Sequence, residues 1–204
     1  MTTGITCEAD LREFYGQESE LVRRKVLTRL DRHCRALIAA SPFLVIGTSD
    51  AEGRQDVSPR GDPPGFVRVI DDQRLLIPDR PGNKRLDTLR NVLSNPQVGL
   101  LFFLPGMDET LRVNGRAEIT TDPALLAPAA VDGRAPRSGL LVSVEEAFLH
   151  CAKAFLRSRL WDPGAQIDRK AFPSLGRMIA DQVAEVDADA ADAAIDESYR
   201  TRLY

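Results

Sequence analysis

The feature that most constrains the fold of this chain is the alternation of apolar and polar residues from Thr110 to Ile119. Leu111, Val113 and Ala117 fall on one side of an extended segment, whereas charged and amide side chains fall on the other side. This pattern predicts a β-strand with one face in a hydrophobic core and the other in a polar environment. The rest of the chain must therefore supply strands that pair with it.

Other short segments predict the remaining strands, because they are rich in apolar residues and are bounded by turn residues. They are Phe43–Thr48, Arg54–Ser58, Phe66–Ile70, Arg74–Ile77, Val98–Leu104 and Gly139–Val144. Between two of them, residues 59–65 contain three prolines and two glycines, which predicts an irregular loop. About seven short strands with few helices between them predict a closed or partly closed antiparallel barrel rather than a doubly wound parallel sheet.

Helical spacing of apolar residues predicts helices before, between and after these strands. The predicted helices are Ser19–Ala40, Asn83–Leu93, Asp122–Ala129, Glu145–Leu160 and most of Pro173–Leu203. The 204 residues contain no internal repeat and no linker, so they predict one domain. Within it we expect a helical segment 1–40, a barrel 41–144 and a C-terminal helical segment 145–204.

The composition disfavours several classes of function. The net charge of -3 argues against non-specific binding to nucleic acid, which requires clustered positive charge. The three cysteines are odd in number and far apart, which favours a reducing compartment. No apolar run is long enough to span a bilayer, and the first residues lack the apolar core of a secretion signal. We therefore expect a cytoplasmic protein that binds neither membranes nor nucleic acid.

The segment Pro78–Leu86 is the first candidate site. A predicted strand ends there, and a loop of proline and glycine follows. Lys84 and Arg85 then fall in the first turn of the next predicted helix, with Asn83 as its N-cap. Free N–H groups at a helix start bind anions, and cations at the positive end of a helix dipole need an anionic partner. The segment therefore predicts a phosphate site or, alternatively, a solvated helix start neutralised by a nearby aspartate.

Two further segments are candidates for ligand binding. Ser58-Pro59-Arg60 leads from a predicted strand into a loop, where fixed backbone groups suit the polar edge of a planar ligand. The alternative there is a rigid turn without a ligand. Thr110 and Arg112 lie on the polar face of the alternating strand, which can face solvent, a dimer contact or a ligand.

The order and spacing of these segments resemble the pyridoxamine 5′-phosphate oxidase-like family of FMN-binding split-barrel proteins. FLVIGTSDAEG is followed by a helix that begins with NKR, and then by LSNPQVGLLFFLPG and TLRVNGRAEI. The resemblance covers 41–121. It is closest to an uncharacterised FMN-dependent branch of the family, which is also similar to this chain at DVSPRGD (56–62) and from His150 to Pro163.

This resemblance implies a mostly antiparallel, Greek-key-like split barrel with flanking helices, and a homodimer that holds FMN between its subunits. By position, Lys84 aligns with the lysine that binds the FMN phosphate, and Asn83 and Arg85 flank it. The residues that the resemblance assigns to the flavin or its ribityl chain are Ser58, Pro59, Arg60, Pro78, Asp79, Thr110 and Leu111.

The chain departs from the family at two places. The phosphate-binding arginine of the oxidases is Asn83 here, so Arg60, Arg80 or Arg85 would have to supply that charge. The final segment of the oxidases, with its tryptophan and substrate-binding arginine, has no clear counterpart in Tyr199–Tyr204. The resemblance therefore implies flavin chemistry without implying oxidation of pyridoxamine phosphate.

A stripe of His150, Lys153, Arg157 and Trp161 lies on one side of the predicted helix Glu145–Leu160. In one interpretation the stripe lines the mouth of the flavin site, with Arg157 and Trp161 as cofactor-binding residues. In the other it belongs to a surface helix whose tryptophan packs against the barrel or the partner subunit.

Each of the two histidines is followed by a cysteine, in His33-Cys34 and His150-Cys151. Adjacent residues of a helix point about 100° apart, so they cannot easily bind one ion. We predict no metal site, and we expect Cys34 and Cys151 to be small core residues.

The implied function is that of an FMN-dependent oxidoreductase acting on an unidentified small molecule, as an oxidase or as a reductase that uses NADH or NADPH. A flavin-binding carrier, sensor or store without turnover is a second hypothesis, and a haem- or deazaflavin-binding barrel is a third. A cation beside the pyrimidine edge of the flavin would stabilise its reduced anion, and Arg60 is the candidate. We predict no catalytic residue.

Overall fold

The computed structural model describes residues 4–204 and contains one seven-stranded antiparallel sheet. Its strands are β1 (Phe43–Ser49), β2 (Gln55–Gly61), β3 (Arg68–Val69), β4 (Arg74–Pro78), β5 (Gln97–Phe103), β6 (Thr110–Thr120) and β7 (Gly139–His150). In space the order is β2-β1-β5-β6-β7-β4-β3. The predicted class, an antiparallel split barrel with flanking helices, is therefore confirmed.

Eight α-helices occur in the described part of the chain, and most of them are short. They are α1 (Glu8–Tyr15), α2 (Glu20–Arg24), α3 (Arg32–Ala40), α4 (Asp87–Ser94), α5 (Pro123–Leu126), α6 (Lys153–Ser158), α7 (Leu175–Gln182) and α8 (Ala188–Thr201). None of these helices is both long enough and apolar enough to cross a bilayer.

The hydrophobic core lies on the inner face of the sheet. Alternate residues of the central strands have no exposed surface there, among them Leu44 on β1, Phe102 on β5 and Val113 on β6. Ile38 of α3 is also fully buried and covers this face. The alternation that the sequence shows in β6 therefore marks the core face, as predicted.

The strand order determines where a ligand site can form. The β1–β2 hairpin lies at one edge of the sheet and the β3–β4 hairpin at the other. The chain then passes from β4 through α4, which contacts β1, β2 and β6, before it enters β5. The connection from β4 to α4 therefore brings the two edges of the sheet close together.

The prediction of a single helix over Ser19–Ala40 is wrong, because this segment is helical only in α2, near its start, and in α3, at its end. The amide of Leu27 instead donates to the carbonyl of Ala147 at 3.0 Å, and the amide of Ala147 donates back at 2.7 Å. Asp31 then starts α3 by accepting hydrogen bonds from the amides of His33 and Cys34. This capping aspartate is the local signal that divides the predicted helix.

The predicted helix Glu145–Leu160 is wrong in its first part, because β7 continues to His150. Pairing with β6 extends from Thr120 opposite Gly139 to Thr110 opposite His150, with a bulge beside Asn114. The partner strand thus decides the conformation where the local sequence fits a helix. The strands of the barrel accordingly extend six residues beyond the expected boundary at 144.

Candidate functional site

A cavity of about 1220 Å³ opens between the end of β2, the connection from β4 to α4, and the loop that precedes β7. Most of the residues predicted to bind a cofactor line this cavity together. They are Ser58, Pro59, Arg60, Pro78, Asp79, Asn83, Lys84 and Arg85. The fold thus brings the two predicted ligand segments, which are separate in sequence, to one place.

The first wall of the cavity is β2, which continues through Pro59 to Gly61. The prediction of an irregular loop from residue 59 is therefore wrong for these residues, since Pro59 pairs with Val45 of β1. Proline is tolerated because β2 is an edge strand, where one side of the backbone needs no partner strand. Continuing the strand places Ser58 and Arg60 on the same side of β2.

A polar cluster fixes this wall to α4. Arg60 Nη2 donates to Thr88 Oγ1 at 3.0 Å, and Thr88 Oγ1 donates to Asp56 Oδ2 at 3.1 Å. Ser58 Oγ also donates to Asp56 Oδ2 at 3.1 Å. Thr88 is only 3% exposed, and the sequence analysis missed it. In the sequence, only its position next to the apolar stripe of α4, directly after Asp87, indicated that Thr88 could be buried.

The second wall is the turn from Asn83 to Asp87, and here the predicted helix start is wrong. The side chain of Asn83 accepts a hydrogen bond from the amide of Arg85 at 3.0 Å, so it closes a turn instead of capping a helix. Lys84 and Leu86 have φ angles of 62° and 60°, and α4 begins only at Asp87. Left-handed backbone is costly for such residues, and it concentrates at ligand sites.

For Arg85, the charge state of this turn agrees with the alternative prediction, in which a nearby aspartate neutralises the cation. Arg85 Nε lies 2.7 Å from Asp87 Oδ2, so this arginine has a carboxylate partner. Lys84 has no carboxylate within ion-pair distance among residues 4–204. Lys84 therefore remains the cation of the turn that is available to an anion.

Arg80 is held away from a ligand by the protein itself. Its Nε lies 2.6 Å from Asp62 Oδ2, and its Nη2 donates to the carbonyl of Ala129 at 3.0 Å. Tyr204 donates its hydroxyl to the other oxygen of Asp62 at 2.6 Å, and its ring lies below the Arg80 guanidinium. Arg80 thus links three segments of the chain, those that contain Asp62, Ala129 and Tyr204.

The third wall is the loop from Val131 to Ser138, which sequence reasoning missed. Arg134 and Arg137 of this loop line the cavity. Val131 and Arg134 exchange backbone hydrogen bonds of 3.0 and 2.9 Å across a turn with positive φ at Asp132 and Gly133. The Asp-Gly pair was a readable signal of this tight turn.

Asp79 is the acidic group of the cavity whose titration is perturbed. Burial raises the pKa of this carboxyl above 3.8, and the nearby Arg60 partly opposes that effect. The backbone amide of Asp79 donates to the carbonyl of Ser138 at 3.0 Å, which joins the second and third walls.

The remaining predicted ligands lie away from this cavity within the chain. Leu111 has no exposed surface and Thr110 is 4% exposed, so both are enclosed in the sheet. Trp161 Nε1 donates to the carbonyl of Met107 at 2.9 Å, and its ring stacks on Phe155. This packing against the barrel is what the second interpretation of the stripe predicts. Arg157 is exposed on α6.

The predicted stripe from residue 150 to 161 does not form, because His150 belongs to β7. His150 instead contacts Phe148, whose ring also lies 4.1 Å from Lys25 Nζ and 5.0 Å from the Arg112 guanidinium. Burial, followed by the charges of Arg112 and Lys25, lowers the pKa of His150. Arg112 is neutralised by Glu146 at 2.7 Å.

The cysteines behave differently from one another. Cys34 is 2% exposed, as expected of a core residue, and burial raises the pKa of its thiol to about 11. Cys151 is exposed, so the expectation that it lies in the core is wrong; it follows the end of β7 and not the buried face of a helix. Within residues 4–204, no three His, Cys, Asp or Glu side chains are arranged to hold a metal ion.

Comparison with known proteins gives one extended match. Residues 30–151, more than half of the chain, match the family model described as pyridoxamine 5′-phosphate oxidase. The matched region contains β1 to β7 and all three walls of the cavity. No curated protein matches the chain.

Several solved structures resemble the chain at low identity. HupZ of Group A Streptococcus is 21% identical, with a TM-score of 0.49 over 59% of this chain and 93% of HupZ. An FMN-binding protein of Syntrophomonas wolfei is 13% identical, with a TM-score of 0.45 over 71% and 96% of the two chains. A pyridoxamine 5′-phosphate oxidase-related, FMN-binding protein of Nostoc punctiforme is 16% identical, with a TM-score of 0.38 over 53% and 72%. At these scores the family match alone carries the assignment.

Proposed function

The chain belongs to the pyridoxamine 5′-phosphate oxidase family, and we propose that it is an FMN-dependent oxidoreductase whose cofactor binds in the cavity between β2, the β4–α4 connection and the loop before β7. The observation that carries the proposal is the meeting of the two predicted ligand segments around one cationic cavity. The cavity is large enough for such a cofactor, because its volume of about 1220 Å³ exceeds the range of about 300–1,000 Å³ typical of small-molecule sites.

The residues of the cavity fit the chemical groups of FMN. Lys84 would bind the phosphate, because its ammonium group has no carboxylate partner in the described chain and its turn has an unusual, fixed backbone. Asn83 and Arg85 would support that end through the turn they form. Ser58 and Arg60 would bind the polar edge of the ring from β2, and Pro78 and Asp79 would border the ribityl chain.

When bound, FMN supplies hydride transfer, and the protein positions it and adjusts its potential. Arg60 is oriented for that task, since Thr88 and the carbonyl of Pro59 accept hydrogen bonds from its guanidinium at 3.0 and 3.2 Å. A fixed cation beside the ring edge favours a negative charge there. Replacing Arg60 with alanine should therefore lower the flavin reduction potential, and an unchanged potential would contradict this role.

We further propose a cytoplasmic homodimer with the cofactor at the subunit interface, acting on a small-molecule substrate with NADH or NADPH as one candidate donor. Exposed apolar side chains on the two elements that border the cavity support the dimer: Val57 on β2 is 68% exposed and Leu93 on α4 is 78% exposed. In such a dimer, the exposed Arg157 and the partly exposed Trp161 could approach the cofactor of the other subunit, whereas Thr110 and Leu111 are enclosed in the sheet and could not. Native mass measurement should give twice the monomer mass, and a monomer would contradict this arrangement.

The proposal is tested by flavin titration of the purified protein. We expect FMN to bind and to give the protein the absorption spectrum of an oxidised flavin. Lys84→Gln should weaken FMN binding about tenfold or more, because it removes a charge-assisted contact with the phosphate. It should change riboflavin binding little, since riboflavin has no phosphate.

Arg90→Gln is the matched control, because Arg90 is an exposed cation of α4 that does not line the cavity. It should leave FMN binding unchanged within about twofold. Equal affinities of wild-type protein and Lys84→Gln for FMN would refute the phosphate assignment. Oxidation of NADH or NADPH by the flavin-loaded protein would separate an enzyme from a carrier or sensor, and the chromophore released on denaturation would separate FMN from haem or a deazaflavin.

A further inference from the structure

The helices α7 and α8 pack against each other as one unit, the α7–α8 hairpin (174–204). The amide of Gly176 donates to Asp192 Oδ1 at 2.7 Å, and a Cβ at Gly176 would lie 2.5 Å from the carbonyl oxygen of Ala188. Only glycine therefore allows the two helices to approach this closely. Within the described residues 174–204, Gly176 is the one residue that is buried, so the hairpin lies on the surface of the protein.

Tyr204 connects this hairpin to the cavity. Its hydroxyl donates to Asp62 Oδ1 at 2.6 Å, and its ring lies 5.5 Å from the Arg80 guanidinium. Its main-chain oxygen accepts a hydrogen bond of 3.3 Å from Arg134. Among residues 4–204, no other residue of the hairpin forms a hydrogen bond with the rest of the protein, and none but Tyr204 lines the cavity. The hairpin is therefore attached to the barrel at the cavity.

The contacts of Tyr204 can open without leaving a buried charge unpaired. The side chain of Asp62 is 2% exposed, and it keeps Arg80 as its partner at 2.6 Å when Tyr204 leaves. Removal of Arg80 would instead isolate that carboxylate, which is strongly unfavourable. Tyr204 is only partly buried, so water can replace the acceptor of its hydroxyl. Segments with few buried contacts open before the rest of a fold, and the hairpin is such a segment.

We propose that the α7–α8 hairpin is a lid on the cofactor cavity and that Tyr204 is its latch. The lid is closed while Tyr204 is bound to Asp62 and Arg80, and it moves away when a ligand enters or leaves. Because these contacts join protein groups to one another, the latch changes the rates of entry and exit much more than the affinity. The inference goes beyond the proposed function and rests on it only for the identity of the ligand.

The inference is tested by stopped-flow measurement of FMN fluorescence, which gives the rate constants of association and dissociation. In Tyr204→Ala both rate constants should rise about fivefold or more, because a larger fraction of the molecules is open at any moment. The affinity, which is the ratio of the two, should stay within about threefold of wild type. Tyr204→Phe keeps the ring beside Arg80 but loses the hydroxyl, so its rate constants should lie between those of wild type and Tyr204→Ala.

Tyr199→Ala is the matched control, because Tyr199 is a tyrosine of α8 that is 58% exposed and does not line the cavity. Its rate constants should equal those of wild type. An association rate constant of Tyr204→Ala that is no higher than that of wild type overturns the inference. Faster dissociation with unchanged association overturns it too, since Tyr204 would then be an ordinary contact of the bound ligand. If Tyr204→Ala does not fold, the same criteria apply to Tyr204→Phe.

Failure of the proposed function gives a different result. A protein that binds no FMN refutes that function, and hydrogen exchange of the flavin-free protein then tests the latch. Helices of 8 and 14 residues are marginal by themselves, so α7 and α8 depend on their attachment. Their amides should exchange about fivefold or more faster in Tyr204→Ala than in wild type, whereas the amides of β5 should stay protected. Equal exchange of α7 and α8 in the two proteins would overturn the inference.

Discussion

The inner face of the sheet and the wall of the cavity are held together by different forces. Around Phe102 and Leu111 the sheet interior is fully buried and apolar, and burial of side-chain area stabilises it. Around Thr88 and Arg80 the cavity wall is polar, and hydrogen bonds and ion pairs join segments distant in sequence. Substitutions in the first region should therefore change stability, whereas those in the second should change ligand binding as well.

The largest effect is expected for Leu111→Ala in the sheet interior. Leu111 has no exposed surface, so the change leaves a cavity and should lower the free energy of unfolding by about 2–5 kcal/mol. Urea denaturation measures this loss, and Ile167→Ala, at a residue that is 69% exposed, should cost less than about 0.5 kcal/mol. The family resemblance assigns Leu111 to the cofactor. A variant that unfolds like wild type but binds FMN poorly would therefore contradict the division between the two regions.

A smaller effect on unfolding, combined with an effect on binding, is expected for Thr88→Val. The change preserves shape but removes the hydroxyl that links Arg60 to Asp56, leaving two partly buried polar partners less satisfied. The free energy of unfolding should fall by about 1–3 kcal/mol, and FMN affinity should fall because Arg60 is no longer oriented. Thr88→Ser keeps the hydroxyl and should bind FMN almost normally. Similar FMN affinities for the valine variant and wild type would show that the cluster does not orient Arg60.

The smallest effect concerns pH and compares Asp79 with a surface aspartate. Burial raises the pKa of Asp79, so ionisation is less favourable in the folded than in the unfolded protein. Its contribution to stability is present below pH 3.8 and is lost as the pH rises through the raised value. Relative to wild type, Asp79→Asn should therefore become more stable between pH 4 and 7, as measured by urea denaturation at each pH.

Asp71, in the β3–β4 turn, is an aspartate whose pKa is shifted in the opposite direction to that of Asp79. The hydrogen bond from Arg74 and the amide of Gln73 lower the pKa of Asp71, so its stabilising contribution is present above pH 3.8 and is lost as the pH falls. Asp71→Asn should therefore be less stable than wild type at pH 7, with a difference that shrinks in acid. The same pH trend for both variants would mean that the environment of Asp79 is not that of a partly buried cavity.

Local sequence patterns predicted most of the strands. They failed where pairing with a neighbouring strand, or a position at the edge of the sheet, determined the conformation. The alternation from Thr110 to Ile119 was sufficient for β6, because side chains repeat with a period of two on a pleated sheet. The residues from Glu145 to His150 fit a helix locally, but pairing with β6 makes them a strand. Pro59 was expected to end β2, and an edge position removes the need for its missing N–H group.

The same distinction applies to the candidate site. Both ligand segments were predicted from composition, because proline, glycine and clustered cations are visible in the sequence. The conformation of the turn at Lys84 was not predicted, because Asn83 closes this turn and does not cap α4. The arginines of the third wall were missed because their loop is about fifty residues further along the chain, and only the strand order brings it beside Asp79 and Arg80.

By itself the sequence determined the fold class and the two segments that could bind a phosphate-bearing ligand, because periodicity and turn residues act over short distances. The tertiary structure alone decided which charges are available. Asp62 and Tyr204 engage Arg80, and Asp87 engages Arg85, while Lys84 and the arginines of the third wall remain without carboxylates in the described chain. The physical reason is that an ion pair depends on distance in space, and in this chain those distances are set by the pairing order of the strands.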